Sequence, residues 1–220
     1  MFIEYLAKDP HFYVYVVVTM VFSIVLHELA HGWAALWQGD RTPQRTGHMT
    51  VDPRVHMGTT SLLMVLLLGI GFGAMPVDPT RFRGKHGDLL VSLAGPLMNL
   101  LLAFVALTGL GAWMLLADDT VPASVERGNL QMFLFVFGFA NLALAVFNLV
   151  PIPPLDGSTV LAGLSKGYRR WIEQVQNPMV FLVAFLAVWA LFSSRDYNLY
   201  GIARNWAEHY LQFLFGLFGR

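Results

Sequence analysis

Apolar residues run in long blocks along this chain, separated by short polar stretches rich in glycine and proline. The first block, residues 12–37, is long enough as a helix to cross a hydrocarbon core of about 30 Å, which takes about 20 residues. Its second half carries a dense polar insert, HELAH, at 27–31. The stretch QGDRTPQRTGHMTVDPRVHMG that follows places Pro43 and Pro53 among glycines and aspartates and predicts a loop or short hairpin. Residues 61–75 are apolar but short, interrupted by Gly69, Gly71 and Gly73 and closed by Pro76. That pattern suits a re-entrant or hairpin segment covered by protein. After a basic loop at 78–88, blocks at 89–117 and 130–150 predict two more spans, with DDTVPASVERGN as an extramembrane loop between them. The second of these spans ends in PIPPLDG, whose prolines remove backbone donors and stop the helix. Residues 179–192 form a shorter candidate span, and NWAEHYLQFLFGLFGR is aromatic and amphipathic, as in a helix lying at the membrane interface.

These elements predict an all-α polytopic membrane protein with about four transmembrane helices, a re-entrant or hairpin segment and a C-terminal interfacial helix. A single membrane-embedded domain is expected over 1–220, with its core at 12–165 and C-terminal helices at 166–220. Composition agrees: 56% of residues are hydrophobic, 13% are charged and the mean hydropathy is +0.56, too apolar for an ordinary soluble domain. Fourteen basic residues balance fourteen acidic ones, so charge points to no nucleic-acid partner. The chain has no cysteine, which leaves His, Asp and Glu to hold any metal. The start lacks the short apolar region and small-residue cleavage site of a secretory signal, so the first span is expected to be retained.

In a helix, His27 and His31 lie four positions apart on one face, where both imidazoles reach one metal ion and Glu28 projects beside it. Two histidines leave a tetrahedral zinc needing one more protein ligand and a water, whose proton Glu28 can take. Chance also produces HExxH, but three ionisable groups within five residues of a membrane helix are costly, about 2.5 kcal/mol or more each, unless they serve a buried site. For the third ligand, Asp156 lies closest to an apolar span in a rigid, helix-breaking context; the competing reading is a solvated aspartate just outside the membrane.

Depth tests that choice. The histidines lie late in the first span and Asp156 just past the span at 130–150, so the two spans must run in the same direction. Residues 61–75 must then enter the membrane without crossing it. With that topology, and with 179–192 crossing, the metal-proximal side carries Arg41, Arg45, Arg54, Arg81, Arg83, Lys85, Lys166, Arg169 and Arg170. The other side carries Lys8, Arg127, Arg195, Arg204 and Arg220. The positive-inside rule then puts the metal on the cytoplasmic side of a cell membrane and the N-terminus outside.

HELAH in a membrane helix, together with Asn148, Pro151, Leu155, Asp156 and Gly157 in an N-x-x-P-x-x-x-L-D-G element, resembles the site-2 proteases, a family of intramembrane metalloproteases. LAGPLMN at 93–99 and GHMTVDP after the first helix are similar to runs in its compact prokaryotic members, and no PDZ-like or CBS-like stretch is visible. Ser158 and Met75 depart from residues common in the family. The resemblance covers residues 20 to about 165. It implies one zinc per chain held by His27, His31 and Asp156, with Glu28 as catalytic base and Asn148 near the substrate carbonyl. The partners it implies are a transmembrane protein substrate and the lipid bilayer. Asn148 and Asn141 share a helix face and suit either substrate binding or interhelical hydrogen bonding. Asn99, beside Gly95 and Pro96, reads as a helix-packing residue, and His48, His56 and His86 as solvated loop histidines. Two other functions fit HELAH: a membrane hydrolase of a lipid or small amphiphile, and a non-catalytic metal-binding or transport protein. A transporter is expected to need internal repeats and a path of ionisable groups, and the sequence has neither.

Overall fold

The computed structural model describes residues 2–116, 125–175, 177–192, 194 and 198–218, and all regular structure among them is helical. The side chains of Arg127, Arg195 and Arg220, and most of the loop expected at 118–129, lie outside the described residues.

Helix α1 spans Pro10–Gln38. Asp9 caps it by accepting from the Phe12 N–H at 3.0 Å, Pro10 suits its first turn, and Gly39 ends it with a φ of 98°, which glycine adopts without strain. At 1.5 Å per residue its 29 residues reach about 43 Å, more than the hydrocarbon core requires.

Helix α2, Pro53–Leu68, is broken at Gly58 and stops at Gly69, with φ values of 63° and 71°. Its far end meets the start of α1, where Tyr13 donates a 2.9 Å hydrogen bond to the Leu66 carbonyl. The chain then doubles back. The Ser61 hydroxyl donates to the Phe72 carbonyl at 2.6 Å and accepts from the Phe72 N–H at 2.8 Å, and the Ala74 N–H donates to the His56 carbonyl at 3.0 Å. It ends beside the C-terminus of α1, where the Asp78 N–H donates to Asp40 at 2.7 Å and the Arg83 N–H to the Gln38 carbonyl at 2.9 Å. Residues 53–78 therefore leave and return at one end of α1, the expected re-entrant shape.

The returning segment lies along α1. A β-carbon on Gly71 would meet Ile24, one on Gly73 would meet Glu28, and Gly32 faces Met75. Two extended residues advance about 6.6 Å and one helical turn of four residues about 6 Å, so alternate positions of the segment stay in step with successive turns. The inward face thus has bare backbone at 71 and 73, which lets it press against the helix that carries HELAH.

Helix α3, Gly87–Leu116, packs centrally against α1 and against α4, Val125–Asn148, which begins inside the expected loop. Among the described residues three helices pass by length and composition as membrane spans, Pro10–Gln38, Gly87–Leu116 and Gly128–Asn148; the number is four if the bent pair Lys166–Gln174 with Met179–Phe192 is counted as one span. Helix α5, Asp156–Leu164, packs on α3 and leads into α6, Lys166–Gln174, and α7, Pro178–Phe192. Helix α8, Leu199–Leu217, buries Leu199, Ala203, Ala207 and Leu211 at four-residue spacing against α4 and α3. Its amphipathic character thus comes from a stripe that docks on protein, while Trp206 and Phe213 stay exposed.

Candidate metal centre

Two stripes of side chains meet where α1 and α3 cross. On α1, Ser23, His27 and His31 fall at four-residue steps, all buried; on antiparallel α3, Asn99, Gly95 and Val91 fall at the same steps. Gly95 is indispensable to that approach: a β-carbon there would overlap His31 Nε2 and lie 2.5 Å from His27 Nε2. His27 Nδ1 bonds Asn99 Oδ1 at 2.6 Å, and His31 Nδ1 bonds the Val91 carbonyl at 2.7 Å. Both partners only accept, so each Nδ1 carries the hydrogen and each Nε2 presents a lone pair.

Asp156 arrives from the other side. After α4 ends at Asn148, the proline-rich turn brings residue 156 to the first turn of α5, and Gly157 packs so tightly on the Leu149 carbonyl that no side chain fits there. Asp156 Oδ2 stands 3.1 Å from His27 Nε2 and 3.4 Å from His31 Nε2, while the two Nε2 atoms are 3.0 Å apart. This carboxylate oxygen is buried and has no hydrogen-bond partner among the described residues. Three acceptor atoms facing one another at this range repel unless a cation lies between them. Zinc with ligands at about 2.0–2.1 Å in a tetrahedron has ligand–ligand edges of about 3.3–3.4 Å, so this triangle fits the ion. Among the described residues, this is the one group of three or more His, Cys, Asp or Glu side chains so arranged.

Glu28 is buried next to the triangle, under Gly73 of the returning segment, where a β-carbon would stand 2.5 Å from Glu28 Oε1. Asn148 is not hydrogen-bonded to this group; its amide donates to the Leu144 carbonyl of its own helix at 3.0 Å. Asn141 turns out to be interhelical, accepting from Asn99 at 2.9 Å and donating to Ser23 and to the Phe137 carbonyl, both at 2.9 Å. Two sequence readings change. Asn99 does more than pack helices, because its carbonyl oxygen orients His27 while its amide bonds Asn141; its four-residue spacing from Gly95 was the available signal. His56 is no solvated loop histidine: it is 3% exposed and bonded through Nε2 to the Thr50 carbonyl at 2.7 Å.

Comparison with known proteins follows the same lines. The family model for peptidase family M50 matches residues 15–115 and 110–191. The chain is 34% identical over 183 residues to "Putative zinc metalloprotease YwhC" of Bacillus subtilis, covering 78% of this chain and 80% of that protein. It is 35% identical over 185 residues to "Putative zinc metalloprotease Rip2" of Mycobacterium tuberculosis, covering 80% and 68%. "Zinc metalloprotease MJ0392" of Methanocaldococcus jannaschii is 28% identical over 185 residues, covering 83% and 44%. No solved structure gives a significant match.

Proposed function

The chain belongs to peptidase family M50 and is a zinc metalloprotease of the membrane, and from that premise we propose that it is an intramembrane endopeptidase. It hydrolyses a peptide bond in or near a transmembrane segment of a membrane-protein substrate. The carrying observation is the triangle of His27, His31 and Asp156, whose two histidines lie buried with Glu28 on a helix long and apolar enough to span.

His27, His31 and Asp156 would hold the zinc, with Asn99 and the Val91 carbonyl fixing the two imidazoles. When bound, zinc polarises the scissile carbonyl and lowers the pKa of a coordinated water to about 7. Glu28 accepts a proton from the attacking water and delivers it to the leaving nitrogen. Asn148 at the end of α4 donates its amide to the carbonyl oxygen as negative charge develops there, exchanging its bond to Leu144 for the substrate. The substrate helix must unwind locally, because a helical carbonyl is already hydrogen-bonded and its peptide bond is shielded. The excess of basic residues on the metal-proximal loops supports a site facing the cytoplasmic side of the cell membrane, with the N-terminus outside.

The test incubates detergent-purified wild type and Glu28→Gln with tagged single-span membrane proteins. The variant should keep its zinc while cleavage falls by about 10²-fold or more, the range for losing a general base. A variant that cleaves at the wild-type rate removes Glu28 from the mechanism.

A further inference from the structure

His56 is a buried titratable side chain that the proposed reaction leaves unused. Its Nε2 lies 2.7 Å from the Thr50 carbonyl, an acceptor only, so Nε2 carries the hydrogen and Nδ1 presents a bare lone pair. Nδ1 is buried and has no partner among the described residues. Buried acceptors are almost always satisfied, so this atom calls for a small donor.

Its surroundings say which. The His56 carbonyl accepts from the Ala74 N–H at 3.0 Å, and the neighbouring Gly73 is the residue whose bare α-carbon lies against Glu28. Glu28, Gly73, Ala74 and His56 are therefore contiguous along the returning segment. His27 and His31 lie on α1 with Glu28 and are oriented from α3, while Asp156 comes from α5. A carboxylate and a bare imidazole nitrogen are both acceptors, and one water satisfies them together by donating one O–H to each.

We infer that His56 is a positioning residue for Glu28, holding through Nδ1 a water whose second O–H is donated to the Glu28 carboxylate. This rests on Glu28 being the general base. The bridge engages one carboxylate oxygen and leaves the other free to accept the proton of the attacking water. His56 itself neither gains nor loses a proton in the cycle: the proton taken from the attacking water passes to Glu28 and then to the leaving nitrogen. Gly71 and Gly73 keep side chains out of the space between the returning segment and α1.

The test is a double-mutant cycle on the full chain in detergent, using a tagged single-span membrane protein that the wild type cleaves. His56→Gln places an amide donor near the Nε2 position, so the tie to Thr50 survives and the Nδ1 acceptor is lost. It should keep wild-type zinc content and thermal stability, with kcat down roughly 10-fold or more and KM within about twofold, as when an outer-shell or positioning contact is removed. Added to Glu28→Gln, it should cause no further loss, since it acts only through that carboxylate. His56→Asn, which puts an amide oxygen near the Nδ1 position, should recover part of the rate lost in His56→Ala. Wild-type kcat in His56→Gln, or a loss that adds in full to that of Glu28→Gln, overturns the inference and leaves the catalytic reading intact. Full activity of Glu28→Gln alone would instead remove that reading.

Discussion

Asn99→Ala separates a metal-supporting residue from a packing one. The substitution takes the Oδ1 acceptor 2.6 Å from His27 Nδ1 and the amide donor 2.9 Å from Asn141 Oδ1, leaving a buried N–H and a buried carbonyl oxygen without partners. In water-soluble proteins each orphan costs about 1–3 kcal/mol. Between membrane helices an interhelical hydrogen bond averages only about 0.6 kcal/mol, because partly separated helices find other partners. The loss of helix association through Asn141 should therefore be small. The loss at His27 should be larger: removing an outer-shell partner of a metal-bound histidine typically costs 10- to 100-fold in affinity, about 1.4–2.8 kcal/mol. Zinc affinity measured by chelator competition should fall by that factor, while the thermal midpoint of the zinc-saturated protein moves little. Asn99→Asp keeps an oxygen facing His27 and should stay within a few-fold of wild type in zinc affinity. Asn99→Ala with wild-type affinity but a lowered midpoint would refute the reasoning and return Asn99 to helix packing.

Gly95→Ala should impair zinc binding and cleavage together, because its methyl needs about 1 Å more room from His27 Nε2 than the present 2.5 Å and such a displacement can cost about 10²-fold in rate; metal analysis showing full zinc in an active variant contradicts this. At the end of α1, burial works to raise the Asp40 carboxyl, but hydrogen bonds from the Thr42 hydroxyl, the Asp78 N–H and the Thr42 N–H hold it below the ordinary range. Its stabilisation is thus fully present above the unfolded value of about 3.9 and lost as pH falls through the lower folded value, so limited proteolysis should begin to cut residues 77–87 only below about pH 4. Because the chain has no cysteine, Arg45→Cys and Lys85→Cys give background-free reporters, and a membrane-impermeant thiol reagent should reach both from one side; opposite sides would make 53–78 a crossing.

HELAH, the breaks at Gly69, Gly71 and Gly73 and the L-D-G turn were legible because each violates a membrane pattern locally: charge inside a span, glycine inside a short span, proline ending one. From those violations the parity argument reached the hairpin, and the structure returns its chain to Gln38 and Asp40 at the end of α1. What stayed hidden depends on pairings between distant segments. Asn99 reads as one more polar residue in a span until α3 is set antiparallel to α1, when Val91, Gly95 and Asn99 meet His31 and His27 in register. His56 reads as a loop histidine until the returning segment covers it. The stripe Leu199, Ala203, Ala207 and Leu211 carried too little hydrophobicity to announce that α8 docks on α3 and α4.

The glycines also explain how a polar centre is enclosed by an apolar bundle. Covering Glu28 and two histidines with ordinary side chains would hold the neighbouring backbones apart and leave gaps lined by unpaired polar atoms, which are costly inside a membrane. Here each approach to the centre is made by backbone: Gly95 on the two imidazoles, Gly73 on Glu28 and Gly157 at the turn that presents Asp156. Bare backbone brings hydrogen-bonding groups with it, and the Val91 carbonyl orients His31 for that reason. The same closeness fixes which atoms are left without protein partners, and among the described residues two of these are at or near the centre: Asp156 Oδ2, which faces the two imidazole Nε2 atoms, and His56 Nδ1, on the residue that ties down the segment covering Glu28.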